Sequence, residues 1–131
     1  MCLADMIMTD AMTPRIISFD STNAEVSVST PAPDKLLSGH PQHTARNFFS
    51  DTTGQFFAGV WESTPGRWRV SYTENEFCHI TEGEVHIEST SGEVWSFEAG
   101  DSFVIPAGFA GAWHVTSPLR KLYVIFESAS K

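Results

Sequence analysis

From residue 55 onward, the chain is a succession of short segments that alternate between apolar and polar residues, and this pattern most limits its fold. Segments 56–62, 67–73 and 76–81 end at glycine, proline, asparagine or charged turn positions, as β-strands do. Turns at residues 82–83 and 117–118 are expected to separate further strands. No segment sustains the 3.6-residue apolar period of an amphipathic helix. Many short strands at close spacing are typical of an antiparallel sandwich or barrel. The pattern therefore predicts an all-β chain.

The first 50 residues have a different texture. Segments 15–19 and 25–29 resemble short strands, and the prolines and glycine that follow interrupt regular structure through about residue 47. A chain of 131 residues suits one domain. We therefore expect a single domain, with an irregular, loop-rich N-terminal extension over residues 1–50 and a barrel core over residues 51–131.

Charge and cysteine content exclude several classes of protein. The formal net charge is −8, which leaves too few basic residues to bind nucleic acid through its phosphates or to dock on anionic lipid. No apolar run approaches the roughly 20 residues of a membrane helix, and residues 1–12 lack the basic start of a secretory signal. With only Cys2 and Cys78 present, no disulfide framework is expected. These features favour a cytoplasmic protein that binds neither nucleic acid nor a membrane.

Five positions in this β-rich region match the motifs of a known superfamily. Glu76 and Gly83 stand at the end of a first motif, and Gly100, Pro106 and Gly108 stand at the start of a second motif with the required spacing. In this respect the chain resembles the cupin superfamily. The resemblance implies an antiparallel jelly-roll (cupin) barrel with a pocket inside.

A narrower resemblance covers about residues 55–127. Segments 59–62, 76–83, 106–113 and 120–124 are similar to the small single-domain cupins related to the cupin domain of ureidoglycine aminohydrolase. This resemblance implies a homodimer, and it suggests a small polar metabolite as the ligand.

The superfamily's metal ligands are almost all missing. The resemblance implies two histidines at Val70 and Tyr72, or at Arg69 and Ser71 if the motif gap is four residues, and a third histidine at Gly111. Glu76 is the only family ligand that remains. One carboxylate does not hold a transition metal, so we predict no metal and no cofactor.

Other histidines leave an alternative open. Strand alternation directs His79, His86 and His114 away from the pocket that Glu76 faces. A register slip or a bulge would turn them inward and create a metal-dependent enzyme with non-standard ligands. His40 and His43 lie in the proline-rich segment, where we expect solvated side chains.

Strand alternation also predicts what lines the pocket. If Glu76 faces inward, Cys78 does too, and Gly111 leaves a void where the family has a histidine. The other expected pocket residues are large or apolar: Trp61, Trp68, Val70, Tyr72 and Trp113. Apolar walls with a few polar groups are typical of small-molecule sites.

Three functions fit such a pocket. In the first, the protein is a metal-independent enzyme, and Glu76 and Tyr72 transfer protons on a small polar metabolite. In the second, it is a non-catalytic cupin that binds a small molecule. In the third, it is a structural subunit with a vestigial pocket.

Overall fold

The alternating segments form strands in a computed structural model that describes residues 13–129. Cys2 and the other residues of the segment 1–12, which lacks the basic start of a secretory signal, lie outside this range. Within it, a 3₁₀ turn at Ser21–Asn23 precedes nine strands. These are β1 (Glu25–Ser29), β2 (Leu36–Gly39), β3 (His43–Ser50), β4 (Phe56–Ser63), β5 (Gly66–Ser71), β6 (Asn75–Ser89), β7 (Val94–Glu98), β8 (Ser102–Ile105) and β9 (Ala110–Phe126).

All the strand pairs are antiparallel, which agrees with the all-β prediction. One path of paired strands runs β1-β3-β4-β9-β5-β2, while β6 pairs with β7, β8 and β9. The long strand β9 pairs with β5 through residues 110–115 and with β4 through residues 119–126. The sheet curls because β9 exchanges one neighbour for another along its length. Among residues 13–129, no helix has the length and apolar character to cross a membrane.

The core lies on the inner face of the curl. Cys78, Ile80, Val85 and Ile87 of β6 are almost completely buried there, and Trp113 packs against them from β9. Burial of a large aliphatic side chain contributes about 1.5–3 kcal/mol, so this cluster holds the two halves of the curl together.

The N-terminal half contains more regular structure than the sequence predicts. The segment expected to be irregular through residue 47 contains β2 and much of β3, and β3 pairs with β4 from Ser50 back to His43. Segment 15–19, expected to be a strand, is not one. The alternation of β3 is hard to detect because its cavity side carries Ala45 and Asn47 rather than large apolar residues.

The sequence also divides two strands that are continuous in the structure. The residues around Gly83 and around Pro118 were expected to separate strands, yet both lie inside the long strands β6 and β9. The pairing of β6 with β9 is irregular between Ile80 and Val85. Gly83 has φ +88°, and a Cβ there would lie 2.2 Å from the carbonyl oxygen of Pro118. This glycine therefore permits a bulge that no other residue would fit.

Candidate functional site

A cavity of about 350 Å³ lies on the concave side of the sheet, among β3, β4, β5, β6 and β9. Most of the residues that the sequence predicted for a pocket line it: Trp61, Trp68, Val70, Tyr72, Glu76 and Trp113. The structure adds polar residues that the sequence did not identify: Asn47, Lys121 and Tyr123.

Strand alternation brings the predicted residues together. On β5, Trp68 and Val70 point to the same side, and Trp68 pairs with Trp113 across the ladder to β9. Glu76, near the start of β6, pairs with Ile125 near the end of β9. The cavity is therefore lined by side chains whose positions are fixed by backbone pairing.

Three indole rings form one wall. The ring of Trp113 stacks on Trp68 at 6.3 Å between centroids and meets Trp61 edge to face at 5.7 Å. Behind them, the ring of His43 contacts Trp61 at 4.8 Å and Trp68 at 4.5 Å. The expectation that His43 is solvated is wrong, because β3 directs the ring into this stack, where its Nε2 is buried without a hydrogen-bond partner.

A buried ion pair forms the polar part of the cavity. Lys121 Nζ donates to Glu76 Oε2 at 2.8 Å, and the two residues are 4% and 5% exposed. The ammonium also lies 3.6 Å from Cys78 Sγ, 4.3 Å from the Trp113 ring centroid and 4.7 Å from that of Trp61. Contact of an ammonium with an aromatic face is attractive, most of all where water is excluded.

This arrangement keeps the nearby groups in their protonated forms. Burial tends to lower the pKa of Lys121, but the charge of Glu76 and the hydrogen bonds to Glu76 and Cys78 outweigh burial and raise it. Burial raises the pKa of Tyr72, and the charge of Glu76 adds to the effect. Burial also raises the pKa of the Cys78 thiol to about 12, although the charge of Lys121 acts in the opposite direction.

Tyr123 and Asn47 form a second polar group in the lining. The Tyr123 hydroxyl donates to Asn47 Oδ1 at 2.7 Å. Burial raises the pKa of Tyr123, and so does the charge of Glu76. The hydroxyl therefore acts as a neutral hydrogen-bonding group beside the ion pair.

Two of the predicted pocket residues lie elsewhere. Cys78 is fully buried in the core beside Lys121 and does not line the cavity. Gly111 borders a different groove on the outside of the sheet. The void expected at Gly111 is absent, because a Cβ at this position would lie 1.9 Å from the carbonyl oxygen of Glu88.

The donor set does not fit the metal that the family resemblance implies. Among residues 13–129, the cavity lining contains one carboxylate, which is already paired with an ammonium, and no histidine. His79 instead bonds Ser102 and His86 bonds Ser96, each through Nδ1 at 2.7 Å. Within the described part of the chain, no group of three or more histidine, cysteine or acidic residues has a metal-binding arrangement.

Sequence reasoning missed Lys121, although a signal for it exists. Trp113, Val115, Leu119 and Tyr123 are all buried and all occupy odd positions in β9, and Lys121 continues the series. The break expected at residues 117–118 concealed this phase.

Comparison with known proteins gives one family match. A family model described as a EutQ-like cupin domain matches residues 50–123. No curated protein matches the chain.

Several solved structures share the fold. A protein of unknown function of the DUF861 family from Pseudomonas syringae pv. tomato is 29% identical with a TM-score of 0.70, over 78% of this chain. This chain spans 43% of the length of that protein. The EutQ protein of Clostridium difficile is 18% identical over 68% of this chain and 65% of its own, with a TM-score of 0.61. A putative ethanolamine utilization protein Q from Salmonella typhimurium is 19% identical over 79% of this chain and 96% of its own, with a TM-score of 0.60.

Proposed function

The chain belongs to the EutQ-like cupin domain family, and we propose that it binds a small, flat molecule in its aromatic-walled cavity. Its antiparallel curled sheet is the jelly-roll of the cupins. The cupin resemblance is thereby confirmed, whereas the finer relation to ureidoglycine aminohydrolase stays a prediction.

The observation that carries the proposal is the composition of the cavity wall. Trp61, Trp68 and Trp113 present three indoles to a space of about 350 Å³, with an ion pair and a tyrosine–asparagine pair at its polar side. Apolar walls contribute most of the affinity in small-molecule sites, and a few fixed polar groups orient the ligand. Flat rings stack favourably on indole faces, and Trp61, unlike the buried Trp68 and Trp113, is partly exposed.

The raised pKa values limit which groups near the cavity can act as a base or a nucleophile. A general base must be unprotonated near neutral pH, and the raised pKa values of Tyr72 and Lys121 make these two residues proton donors instead. The thiol of Cys78, with a pKa of about 12, is not a nucleophile near neutral pH. Tyr72 and Lys121 are therefore suited to donating fixed hydrogen bonds, whereas Glu76 is the only one of these groups left as a base.

Catalysis by Glu76 and Tyr72 is the second candidate. Both residues line the cavity in which a metabolite would bind. Such an enzyme would be independent of metal, because the donor set described above does not suit a metal-dependent aminohydrolase.

Tryptophan fluorescence tests the proposal directly. Three of the four tryptophans line the cavity, and Trp95 lies in a separate groove. We expect aromatic and heterocyclic compounds from a small-metabolite panel to quench the fluorescence of Trp95→Phe, the variant that reports only on the cavity, and to raise its Tm. Trp61→Leu should weaken the binding of the same compounds.

The panel also separates the two candidates. Chromatography after incubation with the wild-type protein shows whether a bound compound is converted. Conversion that Glu76→Gln abolishes, at a temperature where this destabilised variant is still folded and binds the compound, would support the enzyme, and binding without conversion by the wild-type protein would support the binding protein. A panel in which no compound quenches or stabilises would contradict both.

We also propose that the protein is a cytoplasmic homodimer. Large apolar side chains remain exposed on β6, β7 and β8, among them Phe77, Trp95 and Val104, and a second copy would cover them. The free, buried thiol of Cys78 is compatible with a reducing compartment. Light scattering on the purified protein measures the oligomeric state, and a monomeric mass would contradict the dimer.

A further inference from the structure

The surroundings of Lys121 Nζ resemble a binding site for an organic ammonium ion. The ammonium lies 2.8 Å from a carboxylate oxygen of Glu76 and over two indole faces, at 4.3 and 4.7 Å from the ring centroids. Proteins recognise ammonium ligands with this combination of a negative charge and aromatic faces. Here the occupant is a side chain of the same protein.

We propose that the cavity contains a cation site filled by the chain's own Lys121, and that this residue determines specificity by excluding metal ions and organic cations. The remaining space then takes neutral or anionic ligands. This statement about ligands rests on the proposed function, whereas the cation site itself does not.

Charge balance explains the exclusion. The Glu76 carboxylate is neutralised by Lys121 with both groups almost fully buried. A second cation in the cavity would lie beside an ammonium and have no free carboxylate, so its loss of hydration would be uncompensated. A competitor would also have to displace a tethered group whose effective concentration is in the millimolar range or above.

Chemical rescue of a shortened side chain tests the site. Lys121→Ala removes three methylene groups and the ammonium, which together have the structure of propylammonium. We expect propylammonium, at about ten times its Kd, to raise the Tm of Lys121→Ala by about 5 °C. Methylammonium and pentylammonium should give smaller shifts because their lengths do not match the space.

Matched controls show whether the rescue depends on charge. 1-Propanol has nearly the same shape without the charge and should give no comparable shift. The double variant Glu76→Gln/Lys121→Ala should lose the preference for propylammonium over propanol, and the wild-type protein should respond to neither. Equal shifts with the amine and the alcohol, or an equal response of the wild-type protein, would overturn the proposal.

The test also works if Lys121→Ala does not fold on its own. If the variant is unfolded, recovery of folded protein with propylammonium but not with propanol supports the proposal in the same way. If neither compound recovers folded variant, the test is made on the wild-type protein. Its binding of three probes of matched size is then compared: phenylacetate, phenylacetamide and phenethylamine.

These probes also separate this inference from the proposed function. Binding of phenylacetate or phenylacetamide, but not of phenethylamine, supports both the cation site and the small-molecule function. Binding of the amine as tightly as the amide overturns the cation-site proposal and leaves the small-molecule site standing. Rescue of Lys121→Ala with a wild-type panel in which nothing binds supports the cation site and contradicts the small-molecule function. A near-stoichiometric transition metal in the purified wild-type protein would overturn the inference.

Discussion

Breaking the Glu76–Lys121 ion pair should destabilise the protein strongly, because both groups are almost fully buried. Lys121→Met keeps an unbranched side chain that is shorter by the terminal nitrogen and removes the charge, and it leaves a carboxylate that is only 5% exposed without its partner. Loss of one member of a buried ion pair costs roughly 3–5 kcal/mol. At about 2.1 cal/mol/K of unfolding entropy per residue, such a loss lowers the Tm of 131 residues by about 11–18 °C.

A double-mutant cycle distinguishes the pair from its separate residues. Glu76→Gln should also be strongly destabilising, since it leaves a buried ammonium without a counter-charge. The double variant Glu76→Gln/Lys121→Met removes both charges, and its loss should stay under about 2 kcal/mol, much of it from the two ammonium–indole contacts. Urea unfolding of the four proteins gives the coupling energy. Losses that simply add in the double variant would refute the reasoning.

Three further predictions concern single residues. Gly83→Ala and Gly100→Ala both place alanine at positive φ, but only at Gly83 would the Cβ meet the Pro118 carbonyl, at 2.2 Å. In urea unfolding, Gly83→Ala should therefore lose at least about 1 kcal/mol more unfolding free energy than Gly100→Ala. Equal losses for the two variants would contradict the bulge contact. Burial and the charge of Lys121 lower the pKa of His43 from 6.5 to about 4, so its contribution to stability is complete above pH 6.5 and is lost as the pH falls toward 4. His43→Leu should reduce the dependence of the Tm on pH between pH 6.5 and 4, and an unchanged dependence would contradict this reasoning. With a pKa of about 12, native Cys78 should react with iodoacetamide at least about 1,000-fold more slowly than a free thiol; rapid alkylation of Cys78, located by mass spectrometry, would contradict its burial.

The sequence predicts the barrel and one wall of the cavity because those features depend on local alternation. Trp68, Val70 and Tyr72 repeat every second residue, and a strand directs such a series to one face. Glu76 is the second residue of β6, and its match to the cupin motif is what predicted that it faces inward. No knowledge of distant contacts is needed for either prediction.

The polar side of the cavity could not be predicted in this way. Asn47 lies on β3, whose inward residues are small or polar and give no apolar period. Lysine is almost never buried without a partner, and the partner of Lys121 lies 45 residues away in sequence. Its burial therefore depends on the register between β6 and β9, which local patterns do not encode.

The position of Lys121 also depends on the bend in β9. Trp113 and Lys121 are eight residues apart, which in a straight strand is about 27 Å. The Lys121 ammonium nevertheless lies 4.3 Å from the Trp113 ring centroid, a separation that two side chains cannot bridge unless the strand curves. Between these two residues, β9 changes its partner from β5 to β4, and β6 carries its bulge at Gly83 against Pro118. The same irregularity that hides the strand from sequence analysis thus brings the indole wall and the ion pair together.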